Sequence, residues 1–400
     1  MVQSDVSLIG GLAIPLVTVL VVGAVVGPLR AAPFDPAAAD YAGRKGTTIY
    51  VSKLGDNTDG SSWAKAFHTI QQALLAIPDD KGGHRVVVRP DTYVEANLYT
   101  SHKGAAGSYN LLVGDCDGGL GSGARGWVIV DSGDPDGRGF KSFDWWGTIR
   151  ATSKGWSPKH TAATFSAIIW DRWIVRGLYV TGADAGLFWD CTNQIKPFTV
   201  IVEDCVGIGR AFGGGVASCL SRTKEPITFR RCYLCALDWW GDTAGAYVRV
   251  ENPGMPDRPD ICFEDCTMIS PQCSVKGGNF GFKTSMRITL RRCRLVTLNF
   301  SQPHGTPTDG IVQSVQHGKY LHVGFEDCTL MGYKVFGVRV NKKTVGDIQY
   351  TTQGKVEAYV QYQQTVPKGF RRLARWPVEV FKALGPPDHP IRATSRNETH

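Results

Sequence analysis

The sequence is poor in methionine and has no clustered run of basic residues. Its 400 residues include 5 Met against 47 Gly, which favours turn-rich β structure over a helical bundle. No Lys/Arg run has the character of a basic arm, and no zinc-finger or helix-turn-helix spacing occurs, so we expect no nucleic-acid partner. The net charge of +8 fits an ordinary soluble protein or one with an acidic partner, such as a uronic-acid polysaccharide.

The N-terminus lacks the basic residues that usually precede the apolar core of a signal peptide. Residues 6–26 are 21 uncharged residues, long enough to cross a bilayer or to form such a core. MVQSD before them contains no Lys or Arg, and a small-x-small cleavage site at Ala37–Ala39 lies far downstream. We interpret residues 1–39 as a signal or anchor segment with its linker. This predicts export to the periplasm, the cell surface or the medium, either secreted or membrane-attached through residues 6–26.

Eleven cysteines cannot all pair within one chain, and five of them recur in one short pattern. In that pattern an apolar stretch is followed by two charged residues, a Cys and further apolar residues. The copies are VIVEDCVGI from Val200, ITFRRCYLC from Ile227, ICFEDCTMI from Ile261, ITLRRCRLV from Ile288 and VGFEDCTLM from Val323. Their cysteines, Cys205, Cys232, Cys266, Cys293 and Cys328, are separated by 27, 34, 27 and 35 residues.

Each copy alternates with period two and is rich in Val, Ile and Phe, which predicts a strand. A repeat of this length is typical of one coil of a β-solenoid, whose coils must stack to bury their apolar sides. We predict that the five cysteines form an inward row of reduced thiols, because strands about 4.8 Å apart suit an unstrained disulfide poorly. Cys232–Cys235 and Cys262–Cys266 resemble zinc-ligand spacings, but strand alternation argues against a shared metal, and we predict no metal site.

The two charged positions alternate in sign from coil to coil. The first position reads Arg176, Glu203, Arg230, Glu264, Arg291, Glu326, and the second reads Gly177, Asp204, Arg231, Asp265, Arg292, Asp327. In an in-register parallel stack each Arg would lie between two carboxylates, and a slip by one coil would set like charges together. The alternation therefore predicts the register.

A second element follows each copy and begins with Gly. It reads GLFWD at Gly186, GAYVRV at Gly245, GFKTS at Gly281, GIVQS at Gly310 and GVRVN at Gly337. If the first apolar residue points inward, alternation places Phe188, Tyr247, Lys283, Val312 and Arg339 outward in one line. Asp190, Arg249, Ser285, Ser314 and Asn341 form the next line. This predicts an aromatic and basic outer face.

Residues 47–96 resemble the N-terminal region of pectate-lyase-like β-helix proteins. That region has a YVS strand, a Gly/Asp/Asn-rich loop, a capping helix and a VVVxPxTY strand, with Asp91 here in place of the usual Gly. The predicted helix is AFHTIQQALLAI, with Phe67, Ile70, Leu74 and Ile77 on one face. The resemblance spans about residues 47–350. It implies an all-β fold, a right-handed parallel β-helix over residues 40–350, followed by a C-terminal cap and loose tail over residues 351–400.

The resemblance specifies the fold well and the chemistry poorly. It implies a site on the outer surface of one sheet. For a lyase that cleaves uronic-acid glycans by β-elimination, the candidate catalytic residues are Lys283, Arg249 and His304. The candidate substrate-binding residues are Tyr247, Arg339, Phe188, Asp190, Trp239, Trp240 and Asp309. No acidic cluster repeats on adjacent coils to indicate a Ca²⁺ site, and a Ca²⁺ cofactor is left open.

Three functions compete at this stage. The sequence favours an exported protein that binds polysaccharide or another acidic glycan without catalysis. A polysaccharide lyase is supported almost equally well. Hydrolysis by a carboxylate pair, such as Asp238 and Asp242 beside the two tryptophans, ranks behind both. Every candidate side chain could instead be an ordinary solvated surface residue.

Overall fold

The computed structural model describes residues 43–96, 98–131, 163–166, 170–181, 185–190, 197–209, 211–221, 225–237, 243–250, 261–278, 286–298, 310–315, 320–339, 347–361, 366–375, 385 and 387. The chain divides into two compact units, residues 1–35 and 36–400, and every described residue belongs to the second. Within the described ranges no helix is long and apolar enough to cross a membrane. The predicted signal or anchor segment, residues 6–26, lies outside them.

Three parallel sheets run through the described chain. Sheet A contains β1 (Thr48–Val51), β2 (Arg85–Val88), β4 (Asn110–Gly114), β7 (Trp173–Arg176), β11 (Val200–Glu203), β14 (Ile227–Arg230), β17 (Ile261–Glu264), β20 (Met286–Arg291), β23 (Tyr320–Glu326) and β26 (Asp347–Gln353). Sheet B contains β3 (Asp91–Val94), β5 (Val128–Asp131), β8 (Leu178–Thr181), β12 (Val206–Gly209), β15 (Tyr233–Ala236), β18 (Thr267–Ser270), β21 (Arg294–Thr297), β24 (Thr329–Gly332), β27 (Glu357–Val360) and β28 (Arg371–Arg372). Sheet C contains β6 (Ala163–Ser166), β9 (Ala185–Asp190), β10 (Pro197–Phe198), β13 (Phe212–Ser221), β16 (Ala244–Val250), β19 (Cys273–Gly278), β22 (Val312–Val315) and β25 (Phe336–Arg339).

Neighbouring strands in each sheet come from successive coils, so the chain visits sheets A, B and C in turn before it returns to A. This arrangement confirms the predicted right-handed parallel β-helix. The apolar residues of all three sheets meet in one continuous core, which includes Val202, Phe229 and Phe263 of sheet A. The inward residues of sheets B and C close the same core, as Leu234 and Val248 do.

The predicted capping helix is present and shorter than the apolar pattern suggested. Helix α1 (Ile70–Leu75) begins after Thr69, whose side chain accepts a hydrogen bond from the backbone N–H of Gln72. The carboxylate of Glu95 accepts the N–H groups of Ile70 and Gln71 at 2.7 and 2.8 Å, which satisfies two further donors of the first turn. Ile70 and Leu74 are buried, and the helix packs against β1 and β2 at the first coil.

The corner between sheets A and B contains one residue with left-handed backbone in every repeated coil. The corner residues Gly177, Asp204, Arg231, Asp265, Arg292, Asp327 and Gly354 all have positive φ, between 50° and 70°. This is the left-handed region, in which Gly is unstrained and Asp is tolerated better than most residues. The second charged position of the repeat is therefore the corner itself.

The charge rows have the predicted register. Glu203 is paired with Arg176 on one side and Arg230 on the other, with ion pairs of 2.5 and 3.2 Å. Arg291 contacts Glu264 and Glu326 at 2.7 and 2.9 Å. At the corner, Arg231 contacts Asp204 and Arg292 contacts Asp265, both at 2.6 Å. The opposite charges of successive coils thus hold the stack in register.

The five repeat cysteines point inward as predicted, and they are free thiols. Each sulfur lies within hydrogen-bonding distance of a carbonyl oxygen on the preceding coil, as Cys293 does with Phe263 at 3.3 Å. Burial raises the pKa of the Cys205, Cys232, Cys266 and Cys293 thiols well above the ordinary value. The row therefore serves as small apolar packing inside the core.

Coil stacking continues beyond Tyr350, where the sequence repeat fades. Strands β26, β27 and β28 extend sheets A and B to Arg372. Phe370 then packs on Phe325, Phe336 and Tyr350, with ring centroids 5.2, 6.0 and 5.7 Å away. This aromatic group covers the last described part of the core. Beyond Arg375, the predicted C-terminal cap and loose tail lie outside the described residues except at 385 and 387.

Candidate functional site

The outer face of sheet C carries a line of outward residues that we name the first outer row. In register it reads Phe188, Gly215, Tyr247, Lys276, Gln313 and Gly337. Its members alternate with core residues such as Leu187 and Val275, so they point away from the core. Their side chains are nevertheless buried, with 0% exposure for Phe188, Lys276 and Gln313 and 2% for Tyr247.

The outward direction predicted for Phe188 and Tyr247 is confirmed, but an exposed aromatic face is not found. The rings stack with Phe212, at centroid distances of 5.5 Å from Phe188 and 4.6 Å from Tyr247. Gly215 lies between Phe188 and Tyr247 with φ 131°, and a Cβ there would come within 1.8 Å of the Tyr247 carbonyl oxygen. The two rings therefore pack on protein in this structure, and their roles in substrate binding stay predictions.

The lysine of this row is Lys276, not the predicted Lys283. Strand β19 (Cys273–Gly278) occupies the place that the sequence suggested for the GFKTS segment, and Lys276 pairs with Tyr247 of β16. Lys283 lies outside the described residues. The predicted place of Lys283 in this row is taken by Lys276, because β19 does not begin with Gly, and the catalytic role predicted for Lys283 stays a prediction. The alternation of Ser274, Val275 and Lys276 was the signal that could have located it.

The last two strands of sheet C also correct the predicted alignment. Val312 pairs with Val275 and is buried in the core, so Gln313 points outward in its place. Because Ile311 and Val312 are both apolar, the alternation of the sequence did not show which of the two points into the core. Arg339 pairs with Val315 and lies one row further along than predicted.

Arg339 belongs to a second outer row of sheet C. Asp190 pairs with Ala217, and Gly278 pairs with Val315, which in turn pairs with Arg339. Arg249 follows Tyr247 by two residues and is partly buried, so alternation places it in this row as predicted. By register, the row that contains Arg249 of β16 thus also contains Arg339 of β25 and Asp190 of β9.

The remaining predicted residues lie outside the described ranges. Trp239 and Trp240 fall between β15 and β16, Lys283 between β19 and β20, and His304 and Asp309 between β21 and β22. Each of these connections joins a strand of sheet C. In the chain, all five residues therefore lie in connections that lead into or out of sheet C, which contains Lys276 and Arg249.

The described residues contain no group of three or more His, Cys, Asp or Glu that could hold a metal ion. The Ca²⁺ cofactor that the sequence left open stays a prediction.

No protein-family model and no curated protein matches this sequence. Among solved structures, pectate lyase Pel9A is similar, with 13% identity, a TM-score of 0.46 and coverage of 83% of this chain and 75% of the other. Pectin methylesterase from Aspergillus niger is similar with 13% identity, a TM-score of 0.40 and coverage of 83% and 93%. At this identity the similarity concerns the fold, and the activities in those names belong to those proteins.

Proposed function

We propose that the protein binds an acidic glycan on the outer face of sheet C, in a site centred on Lys276 and Arg249. The observation that carries this proposal is the position of Lys276. Its side chain is fully buried yet lies outside the core, between Tyr247 and Gln313 of the neighbouring coils. A cation withdrawn from water outside the core is suited to hold a carboxylate, because its attraction is weakly screened there.

The neighbours of Lys276 suit a sugar acid. Tyr247 and Gln313 flank Lys276 on strands about 4.8 Å to either side, and a ligand that displaced the packing over this row would meet their hydroxyl and amide groups. Arg249 can bind a carboxylate through two parallel hydrogen bonds. The net charge of +8 favours approach of a polyanion. We further propose that residues 6–26 direct export, so that the glycan is met at the cell surface or beyond.

The binding proposal is tested with the full-length protein and an oligogalacturonate, a short polymer of galacturonic acid. Lys276→Met keeps the length of the side chain and removes its charge. Circular dichroism and thermal unfolding establish that the variant keeps the β-helix before its affinity is compared. We expect its affinity, measured by calorimetry, to fall roughly tenfold or more.

Arg294→Met is the matched control, because Arg294 is exposed on sheet B. It lowers the net charge by the same amount and should leave the affinity nearly unchanged. Equal affinities for the parent, Lys276→Met and Arg249→Gln would show that sheet C is not the binding face.

Lyase activity is the second candidate, and the pairing of Lys276 with Tyr247 favours it. β-Elimination from a uronic acid requires a base that removes the proton next to the carboxylate and a cation that stabilises the developing charge. Lys276 or Arg249 could supply either role. Incubation with a panel of polyuronides should then produce an unsaturated product that absorbs in the ultraviolet, and Lys276→Met should abolish it. Absence of product with every polyuronide would leave binding alone.

A further inference from the structure

A shallow trough of about 280 Å³ lies on the outer face of sheet A, at strands β20, β23 and β26. In-register pairing arranges its outward residues as three rows. The rows are Arg287–His322–Gln349, Thr289–Gly324–Thr351 and Arg291–Glu326–Gln353. Rows lie about 6.6 Å apart along the strands, and neighbours within a row lie about 4.8 Å apart. Each row therefore runs along the axis of the coil stack.

Gly324 at the centre of the trough is not explained by the fold. Strand β23 pairs continuously through it with Thr289 and Thr351, so no bulge requires a Gly there. A Cβ at Gly324 would lie 3.6 Å from the Thr351 hydroxyl and 3.9 Å from the Thr289 hydroxyl, which is ordinary contact. A Gly within a strand weakens it and often marks a place that a ligand approaches closely. Because Gly324 has no side chain, its backbone forms the floor of the trough.

The two walls of the trough contain different ionisable side chains. On one wall Arg291 is bound by Glu264 and Glu326, so its charge is balanced. The other wall contains Arg287 and His322. Burial lowers the pKa of His322, and the positive charge of Arg287 lowers it further. Of the described residues that line the trough, Glu326 is the one acid, and it lies on the balanced wall.

We propose that this trough binds a segment of a linear acidic polysaccharide, with its hydroxyl groups on the threonine and glutamine side chains and a carboxylate beside Arg287. The inference rests on the affinity for acidic glycans proposed above, but it uses a different sheet. Threonine hydroxyls and glutamine amides both donate and accept hydrogen bonds, as sugar hydroxyls do. Their repetition along the stacking axis matches a repeating polymer, whereas a small anion would need neither the rows nor the glycine floor.

The experiment fills the floor without changing any charge. In Gly324→Val the new side chain enters the trough, and a β-branched residue is favoured in a strand. We expect a melting temperature equal to or above that of the parent. In the parent, addition of oligogalacturonate should raise the pKa of His322, observed by NMR, because a bound carboxylate stabilises the imidazolium. In Gly324→Val this response should be lost, and His322→Gln identifies the resonance.

Three further results decide the inference. Thr228→Val alters the same outward row of sheet A outside the trough and should leave the His322 response intact. Lys276→Met should also leave it intact, so failure of the site on sheet C is distinguishable from failure of the trough. An unchanged His322 in the parent, a full response in Gly324→Val, or an equal affinity for an uncharged oligosaccharide would each overturn the inference.

Discussion

At the scale of single residues, Glu203 is the most constrained charge of the stack. It is 4% exposed and contacts two arginines, Arg176 and Arg230, from the coils on either side. Burial of a carboxylate is costly unless cations and hydrogen bonds compensate it. The register of these coils therefore depends on both partners being present.

Arg230→Glu should destabilise the protein by about 3 kcal/mol or more, because it places a second carboxylate beside the mostly buried Glu203. Glu264 contributes less to the loss, since Arg291 already binds its carboxylate at 2.7 Å. Urea unfolding measures the change, and added salt should reduce it by screening the repulsion. The exposed control Arg294→Glu should change stability by less than about 0.5 kcal/mol. If Arg230→Glu unfolds like the parent at low salt, the pairing with Glu203 is wrong.

Asp79 gives the protein a residue-scale pH dependence. A hydrogen bond from His84, at 2.9 Å, is the main cause that lowers the pKa of Asp79 from 3.8 to about 2. A carboxylate whose pKa is lower in the folded state adds stability above its unfolded pKa and loses it as pH falls through the folded value. The parent should therefore melt above Asp79→Asn at pH 5, and the difference should shrink between about pH 4 and pH 2. A constant difference over that range would contradict this.

At the scale of elements, the left-handed residue at the corner between sheets A and B is the strictest requirement. Gly177 occupies this corner with φ 70°, and the atoms nearest to a Cβ added there would be the Cys116 sulfur and the Gly114 carbonyl oxygen, both 3.3 Å away. Contacts of that length can be accommodated by small shifts. The backbone conformation, more than the space, thus decides which residues fit.

Gly177→Val should cost about 1–3 kcal/mol, because a β-branched residue is strained in the left-handed region. Gly177→Asn should cost clearly less, since Asn adopts that region more readily. Thermal unfolding of the two variants compares them directly. Equal losses would mean that contacts with Cys116, and not the backbone, set the penalty.

Sheets A and B could be predicted from the sequence, whereas sheet C could be predicted only in part. The charged pair and the Cys occupy the same positions around the corner in every copy, so the strands on both sides of the corner align. Sheet C is separated from that corner by segments of variable length, and Lys276 was therefore missed in favour of Lys283. Alternation indicates that Tyr247 points outward, but it does not indicate whether the ring is covered. The trough around Gly324 is formed by residues of three successive coils, so it could not be predicted from any single copy of the repeat.

At the scale of the whole molecule, the solenoid is a continuous core lined by unreactive thiols. The repeat cysteines are buried, and burial holds the pKa of four of them, Cys205, Cys232, Cys266 and Cys293, well above the ordinary value. Thiolate is the reactive form of cysteine. The native fold therefore protects these four thiols in two ways, whereas Cys328, whose pKa is lowered by its hydrogen bond with Cys293, is protected by burial alone.

Alkylation mapped by mass spectrometry should leave the five repeat cysteines unmodified in native protein and modify all five after unfolding in denaturant. Cys116, which is partly exposed, is the internal comparison and should react before them. Rapid modification of any repeat cysteine under native conditions would show that its coil opens locally or that the row does not face inward.

The alternation of charge also imposes a parity on the length of the molecule. From Arg176 to Glu326 each coil carries the sign opposite to its neighbours, so the smallest unit that repeats without conflict is two coils. A genetic duplication of one coil would bring two arginines or two acids together, whereas a duplication of two would preserve every pairing. Growth or shortening of such a chain is therefore easiest by even numbers of coils, and the signs of its charged residues record which additions the fold can accept.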